Sequence, residues 1–259
     1  MTKHKFMIFQ KRNHNRDTRK RAFCHSIAGR KNQQQDACLI TDEFNSRRLL
    51  LVADGVSSSK AAAYASQKTI EIFKNFFPSS TSFPDIKDFL RKTVFLVASV
   101  FLNESIQNPS MKDAATTLSG VYILRNDFYT INIGDSRVYL FSNNKLKRLT
   151  TDHSIITEMI EQGIISPEEA KKSSLGNIIT SVISSNLSDI KIDIEGPFKL
   201  KEKDIIIIST DGLHDYLSDN EIENIIKQNN NFASLAKTLV SEAFNNNSKD
   251  NITVITYKH

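Results

Sequence analysis

The chain has 259 residues, of which 39% are hydrophobic and 24% charged, the composition of a globular protein rather than a disordered one. Its apolar runs fall far short of the roughly 18 residues of a membrane span, and no secretory signal pattern is present, so we expect a soluble, cytoplasmic protein. The net charge is +5, but residues 1–30 hold nine Lys or Arg and one acid, leaving 25 basic against 28 acidic residues elsewhere. The basic segment at 1–21 is expected to be a solvated loop, with acidic partners, phosphates or a membrane surface as alternative contacts.

Apolar periodicity predicts β-rich and helical blocks in alternation. Strands are expected at 5–9, 21–27, 37–41 and 48–53, the last two joined as a hairpin. Helices are expected at 58–77, with the serines at 57–59 as potential caps, and at 85–105. A meander follows at 116–124, 128–133 and 137–141. A flap insertion near 153–186 holds two short helical pieces broken at Gly163 and Pro167. A strand at 204–210, helices at 219–227 and 232–244, and a strand at 252–257 complete the order. This order predicts one α+β sandwich, with residues 1–259 forming a single domain.

Four aspartates stand where predicted strands begin or end: Asp54, Asp135, Asp211 and Asp250. If one end of the sheets gathers them, their charges repel one another unless a cation neutralises them. Oxygen ligands without paired Cys or His favour Mg²⁺ or Mn²⁺ over zinc. Two such ions activate a bridging water and stabilise a phosphoryl displacement, so hydrolysis of a phosphate monoester is the expected chemistry.

Asp-Gly is a common turn dipeptide, so each aspartate alone is a weak signal. The chain has only eight glycines, yet Gly55, Gly134 and Gly212 all adjoin these aspartates, which strengthens the set. The two cysteines, Cys24 and Cys38, lack the spacing of a zinc or redox motif and are expected to be reduced thiols.

Seven ordered segments resemble the metal-dependent protein phosphatase family of the 2C type, and DGVSSS at 54–59 resembles a bacterial branch of it. The segments are GRKN at 29–32 with QDA at 35–37, VADGV at 52–56, ATTL at 115–118, NIGDSRVY at 132–139, LTTDHS at 149–154, STDGL at 209–213 with Asp215, and DNITV at 250–254. The resemblance implies a four-layer αββα sandwich, two antiparallel sheets flanked by helices, with the metal centre at one end. It also implies hydrolysis of phosphoserine and phosphothreonine in proteins.

By matching position, the resemblance implies that Asp54 bridges two ions, that the Gly55 carbonyl binds one of them, and that Asp211 and Asp250 hold the other. The implied cofactors are two Mn²⁺ or Mg²⁺ ions, with a third as a weaker site. The implied partners are a phosphoprotein substrate and a cognate Ser/Thr kinase. We expect a monomer that binds no nucleic acid.

The same comparison implies that Asp36 acts in the metal shell, partly through water, and that Asp135 supports the third ion or buttresses its loop. The family arginine for substrate phosphate falls on Lys31 by spacing, whereas Arg30, one step away, suits a phosphate better and is slightly favoured. Gln35 replaces the usual acidic residue and retains only the ability to hold a metal-bound water.

A further departure is the serine triplet at 57–59, which replaces the glycine pair and histidine of many relatives and leaves no obvious general acid. Turnover slower than in those relatives is therefore expected. His153 and His214 are expected to be structural, since a histidine without a partner makes no site.

Two other functions are weighed against the phosphatase. A catalytically weak pseudophosphatase that binds phosphoproteins is suggested by Gln35 and the serine triplet. A metal-dependent nuclease is suggested by clustered acids beside a basic segment, but no nucleic-acid-binding module is visible. The complete aspartate set favours the active phosphatase.

Overall fold

A computed structural model describes residues 21–170, 173, 175 and 178–259. The predicted strand at 5–9 and all but the last residue of the basic segment at 1–21 lie outside the described residues, as do five residues of the flap. Within the described residues, no helix has both the length and the apolar composition that crossing a membrane requires.

Twelve strands and seven helices are found in the described residues. The strands are β1 (Ala22–Ile27), β2 (Asp36–Ile40), β3 (Arg47–Asp54), β4 (Ala115–Thr116), β5 (Leu118–Leu124), β6 (Asp127–Ile133), β7 (Arg137–Ser142), β8 (Lys145–Arg148), β9 (Ile183–Ser184), β10 (Asp193–Lys199), β11 (Ile205–Ser209) and β12 (Ile252–Lys258). The helices are α1 (Ala62–Phe76), α2 (Ile86–Gln107), α3 (Ile155–Glu161), α4 (Pro167–Ala170), α5 (Asp211–His214), α6 (Asp219–Gln228) and α7 (Leu235–Asn245).

Ten of these strands form two five-stranded antiparallel sheets. The first sheet has the order β1-β12-β11-β7-β8 and the second has the order β10-β6-β5-β3-β2. A core of side chains from both sheets lies between them, α6 and α7 cover the outer face of the first sheet, and α1 and α2 cover the second. The predicted four-layer αββα sandwich is therefore confirmed.

The four-isoleucine strand β11 shows why the central strands are apolar throughout. Ile206 and Ile208 pack into the layer between the sheets, whereas Ile207 packs against the helices on the other face. Successive side chains of a strand point to opposite faces, so a strand covered on both faces needs apolar residues at every position.

Several predicted details differ from the structure. Strands β8 and β10 were not predicted, since their sequences carry charges on the exposed face. Helix α1 begins after Ala61 without a side-chain cap, so the prediction that the serines at 57–59 cap it is wrong. Pro167 was predicted to break a helix, but it is the first residue of α4, a position where its missing N–H is harmless. The flap prediction otherwise agrees with α3 and α4, and β9 pairs with β4.

Candidate metal centre

One end of the sandwich collects the predicted aspartates. In the second sheet, β2 begins at Asp36 and β3 ends at Asp54, and these two residues lie directly opposite each other in the antiparallel pair. Asp135 lies in the turn after β6, which pairs with β5 beside β3. Side chains directly opposite on one face have Cβ atoms about 5 Å apart, so two carboxylates there repel each other.

The first sheet supplies the other two aspartates at the same end. Asp211 follows β11 as the first residue of α5, and Asp250 precedes β12, which pairs with β11. Two hydroxyl groups join the sheets here, since Thr210 Oγ1 and Thr253 Oγ1 both donate to Asp36 Oδ2, at 3.0 and 2.7 Å. Carboxylates that are remote in sequence therefore lie together in the fold.

Burial and mutual repulsion disfavour the charged form of these carboxylates. Burial raises the pKa of Asp36 to about 6, against the donated hydrogen bonds from the two threonines, and Asp250 adds to the rise. The pKa of Asp54 is raised well above its ordinary value by burial and then by Asp36, Asp211, Asp135 and Asp250. Burial followed by the charge of Asp135 raises the pKa of Asp211 in the same way. A cation among these groups removes the repulsion.

Three carboxylate oxygens at this end of the sandwich lack a hydrogen-bond partner. Asp36 Oδ1, Asp135 Oδ1 and Asp211 Oδ1 are buried and have no hydrogen-bond partner, although buried polar atoms normally have one. Among the residues that the structure describes, no three Asp, Glu, His or Cys side chains are placed to chelate one ion by themselves. Mg²⁺ commonly takes only one or two carboxylates and keeps several waters, so this donor set fits a hard, hydrated divalent ion.

Glycines at the site are required by close packing. A Cβ on Gly55 would lie 2.2 Å from the Ala62 carbonyl oxygen at the start of α1, and one on Gly212 would lie 2.0 Å from the Asn251 carbonyl oxygen. These contacts fix the chain beside Asp54 and Asp211. Close packing of the backbone therefore accounts for the glycines next to Asp54 and Asp211.

Asn251 is a site residue for which the sequence predicted no role. Its side chain is buried, donates to the carbonyl oxygens of Ala28 and Gln33 at 2.9 and 3.0 Å, and accepts from the Gln35 N–H at 2.7 Å. It thereby holds the loop at 28–35, which leads into Asp36. The only feature of the sequence that could have indicated a role for Asn251 is its position directly after Asp250, within the segment DNITV at 250–254.

The two candidate phosphate-binding side chains point in different directions. Lys31 Nζ lies 3.1 Å from Asp250 Oδ1 and donates to Ser57 Oγ at 3.1 Å, so it lies at the aspartate cluster. The Arg30 guanidinium instead donates to Asn247 Oδ1 at 3.0 Å and stacks over the Phe244 ring. The structure therefore places Lys31, and not Arg30, at the site.

Both histidines considered from the sequence lie in structural contacts. His153 is buried, accepts from the Gly134 N–H at its Nδ1, and contacts Asp193 Oδ2 at 2.9 Å through its Nε2. It supports the turn that carries Asp135. His214 shares a hydrogen bond with Ser209, and burial lowers its pKa well below its ordinary value, so it is neutral.

Comparison with known proteins agrees with this arrangement. Residues 25–251 match the family described as Protein phosphatase 2C. The serine/threonine phosphatase stp of Listeria welshimeri is 26% identical over 222 residues, covering 83% of this chain and 86% of that protein. The protein phosphatase PhpP of Streptococcus pneumoniae is 34% identical over 148 residues, covering 57% of this chain and 59% of that protein.

Solved structures show the same fold. The serine/threonine phosphatase Stp1 from Staphylococcus aureus has a TM-score of 0.85 at 25% identity, covering 97% of this chain and 99% of its own. The catalytic domain of the phosphatase PstP, in complex with two manganese ions, has a TM-score of 0.78 at 24% identity, covering 92% of this chain and 97% of its own. The family match includes all five aspartates of the candidate centre, from Asp36 to Asp250, and the chain belongs to the protein phosphatase 2C family.

Proposed function

We propose that the protein hydrolyses phosphoserine and phosphothreonine in other proteins, with a water activated at a centre of two Mn²⁺ or Mg²⁺ ions. The observation that carries this proposal is the set of buried carboxylates with unpartnered oxygens at one end of the sandwich. The names of the similar bacterial phosphatases support the substrate class, and the manganese ions described for PstP support the cofactor. Bound divalent ions lower the pKa of water and stabilise the charge of a phosphoryl displacement.

Asp54, the Gly55 carbonyl, Asp211 and Asp250 would hold the two ions, with Asp36 in the same shell. This assignment gives each sheet a share of the site, since Asp54 comes from the second sheet and Asp211 and Asp250 come from the first. A centre built across both sheets supports one catalytic domain for the chain. Asp135 would hold a third ion, since its Oδ1 atom is buried without a hydrogen-bond partner. Burial, followed by the charge of Asp152, also raises its pKa to about 7, a repulsion that a cation would relieve.

Lys31 would bind the substrate phosphate. It is half-buried, and its only acidic partner within salt-bridge distance in the described residues is Asp250, at 3.1 Å. A metal ion held by Asp250 would engage that carboxylate and leave the Lys31 ammonium group available to the phosphate. An ammonium acts as a point charge rather than a two-pronged fork, so it would attract the phosphate without fixing its orientation as an arginine would.

Among the residues that the structure describes, no side chain at the site is placed as a general acid. The hydroxyl groups of Ser57 and Ser58 are exposed, but an alcohol is too weak an acid to protonate the leaving oxygen, and Ser59 Oγ accepts from the Ala61 N–H. His153 and His214 are held in structural contacts. We therefore propose that water protonates the leaving group and that turnover is slower than in relatives with a histidine there.

The test is phosphate release from a phosphothreonine peptide with Mn²⁺ or with a chelator. We expect release only with the metal, and at least a 100-fold fall in kcat for Asp211→Asn. Asp88→Asn is the control, because the Asp88 side chain is about half exposed on α2, lies away from the aspartate cluster and, among the described residues, pairs with Lys92. Metal binding without turnover would instead support the pseudophosphatase, and cleavage of DNA or RNA would support a nuclease.

A second comparison tests the phosphate-binding residue. Lys31→Met is expected to raise KM for the peptide about tenfold, because it removes a charge beside the metal centre, whereas Arg30→Met is expected to change KM less than threefold. A larger effect at Arg30 would contradict the assignment of Lys31.

We further propose that the protein acts as a monomer on substrates of a cognate Ser/Thr kinase. Gel filtration at assay concentration tests the monomer.

A further inference from the structure

The chain has two cysteines, and the fold brings them together from different sheets. Cys24 lies on β1, the edge strand of the first sheet, and Cys38 lies on β2, the edge strand of the second. Both are half-buried free thiols. Both also pack against the apolar layer between the two sheets, so their side chains point toward the same space.

Hydrogen bonds at nearby residues indicate that the two thiols lie at the same level of the sandwich. Thr253 Oγ1 contacts Ser26 Oγ at 2.8 Å and donates to Asp36 Oδ2 at 2.7 Å, so Ser26 on β1 and Asp36 on β2 lie at one level. Cys24 is two residues before Ser26, and Cys38 is two residues after Asp36. Alternate residues of a strand share a face, so Cys24 lies on the same face of β1 as Ser26, and Cys38 lies on the same face of β2 as Asp36.

Strand direction completes the placement. β1 runs toward the metal end, where Ile27 pairs with Ile252, whereas β2 starts at that end with Asp36. The step from Ser26 back to Cys24 and the step from Asp36 forward to Cys38 therefore run in the same direction, away from the metal end, and cover the same distance. The two edge strands β1 and β2 are in contact here, so the two side chains lie near each other. In agreement, Cys38 is the largest cause that raises the pKa of Cys24, ahead of burial.

We propose that Cys24 and Cys38 are an oxidation site, at which a peroxide forms a disulfide that joins the two sheets at their edge. One thiol sulfur attacks the peroxide and becomes a sulfenic acid, and one water leaves. The second thiol attacks that sulfur, the S–S bond forms, and the hydroxyl leaves as a second water. Two thiols thus supply the two electrons that reduce one peroxide to two waters.

The bridge closes a loop that carries the candidate phosphate-binding residue. Residues 28–35 lie between the two cysteines, include Lys31 and lead into Asp36. The loop is already held by Asn251, and Gln34 Nε2 donates to Ser26 Oγ at 2.7 Å, so the bridge adds a covalent tie to an ordered segment. The consequence for substrate binding rests on the proposed function, whereas the thiol chemistry does not.

The experiment treats the full chain with hydrogen peroxide, counts free thiols and maps disulfide peptides by mass spectrometry. We expect both thiols to disappear from a monomeric protein, with a linked pair of peptides containing Cys24 and Cys38. Closing a loop of about 15 residues should raise Tm by roughly 6–12 °C, and a reducing agent should reverse the rise. Slower hydrogen exchange at 28–36 should accompany it.

Cys24→Ser and Cys38→Ser are the matched controls, and neither should show the reversible rise in Tm. The peptide map of the wild-type protein needs no variant, so it decides the matter even if a variant folds poorly. The proposal is overturned if peroxide gives only sulfinic acid at a single cysteine, disulfide-linked dimers, or the same rise in Tm in either variant. None of these readouts depends on phosphatase activity, so they separate this proposal from the previous one.

Discussion

Replacing Asp36 with asparagine should make the metal-free protein more stable, although the substitution removes a proposed ligand. Asp36 is buried and faces Asp54 across the β2–β3 pair, with an oxygen that has no partner. An amide oxygen at this position still accepts from Thr210 and Thr253, and the amide N–H₂ can donate to the Asp54 carboxylate. The substitution therefore keeps the contacts and removes one of the repelling charges.

The expected gain follows from the pKa of Asp36, which is raised from an ordinary value of 3.8 to about 6. Each pKa unit is worth 1.36 kcal/mol, so ionised Asp36 lowers the free energy of unfolding by about 3 kcal/mol above pH 6. Because the folded pKa is the higher one, this penalty is absent below about pH 3.8 and grows as the pH rises toward 6. The variant should gain most at pH 7.5 and almost nothing at pH 4.

Urea denaturation with a chelator at pH 4, 5.5 and 7.5 measures the difference in stability between the wild type and Asp36→Asn, with the half-exposed Asp88→Asn as the control. Addition of Mn²⁺ at about 100 times its dissociation constant should then stabilise the wild type by about 2.7 kcal/mol and the variant much less. A variant less stable than the wild type at pH 7.5 without metal would refute the reasoning. So would a difference that does not change with pH.

Three further substitutions, with Gly163→Ala as a comparison in open space, test the packing of the site and of the residues that support it. Gly212→Ala puts a Cβ 2.0 Å from the Asn251 carbonyl and should cost about 3 kcal/mol in urea denaturation, whereas Gly163→Ala, at φ +70° with no atom within 4 Å, should cost only about 1 kcal/mol. Asn251→Ala removes three hydrogen bonds to the loop at 28–35 and leaves the Gln33 carbonyl and the Gln35 N–H without a partner, so hydrogen exchange there should rise at least tenfold. Arg137→Met leaves the largely buried Asp152 without its closest cation, at 2.6 Å, and should lower the free energy of unfolding by about 3 kcal/mol; a loss below 1 kcal/mol would contradict this.

The sequence predicted the layers well because the central strands carry an unambiguous signal. Continuous apolar runs such as 205–208 are typical of strands covered on both faces, and the runs at 49–53 and 205–210 are each followed by an Asp-Gly pair. The edge strands β8 and β10 lack this signal. Each has an exposed face with charged residues, and neither was predicted. Helix α5 was missed because four residues are too few for a periodic pattern.

Side-chain direction was beyond the reach of the sequence. For the phosphate-binding residue, motif spacing favoured Lys31, whereas the chemistry of the guanidinium favoured Arg30. Only the fold shows that Arg30 instead contacts Phe244 and Asn247, away from the aspartates. The pairing of Cys24 with Cys38 depends on how two sheets stack, which no local pattern encodes. Both cases concern contacts between segments that are paired by the fold and not by proximity along the chain.

β12 links most of these observations, because it connects the two sheets through polar as well as apolar contacts. Thr253 bonds both Ser26 in its own sheet and Asp36 in the other, while Asn251 holds the loop that joins β1 to β2. Buried polar groups of this kind are costly unless every partner is in place, so they tolerate only one alignment of the sheets. The aspartates lie at the end where these bonds cluster. The alignment that satisfies the hydroxyl and amide groups is therefore the same alignment that brings the repelling carboxylates together, and a divalent ion would complete it.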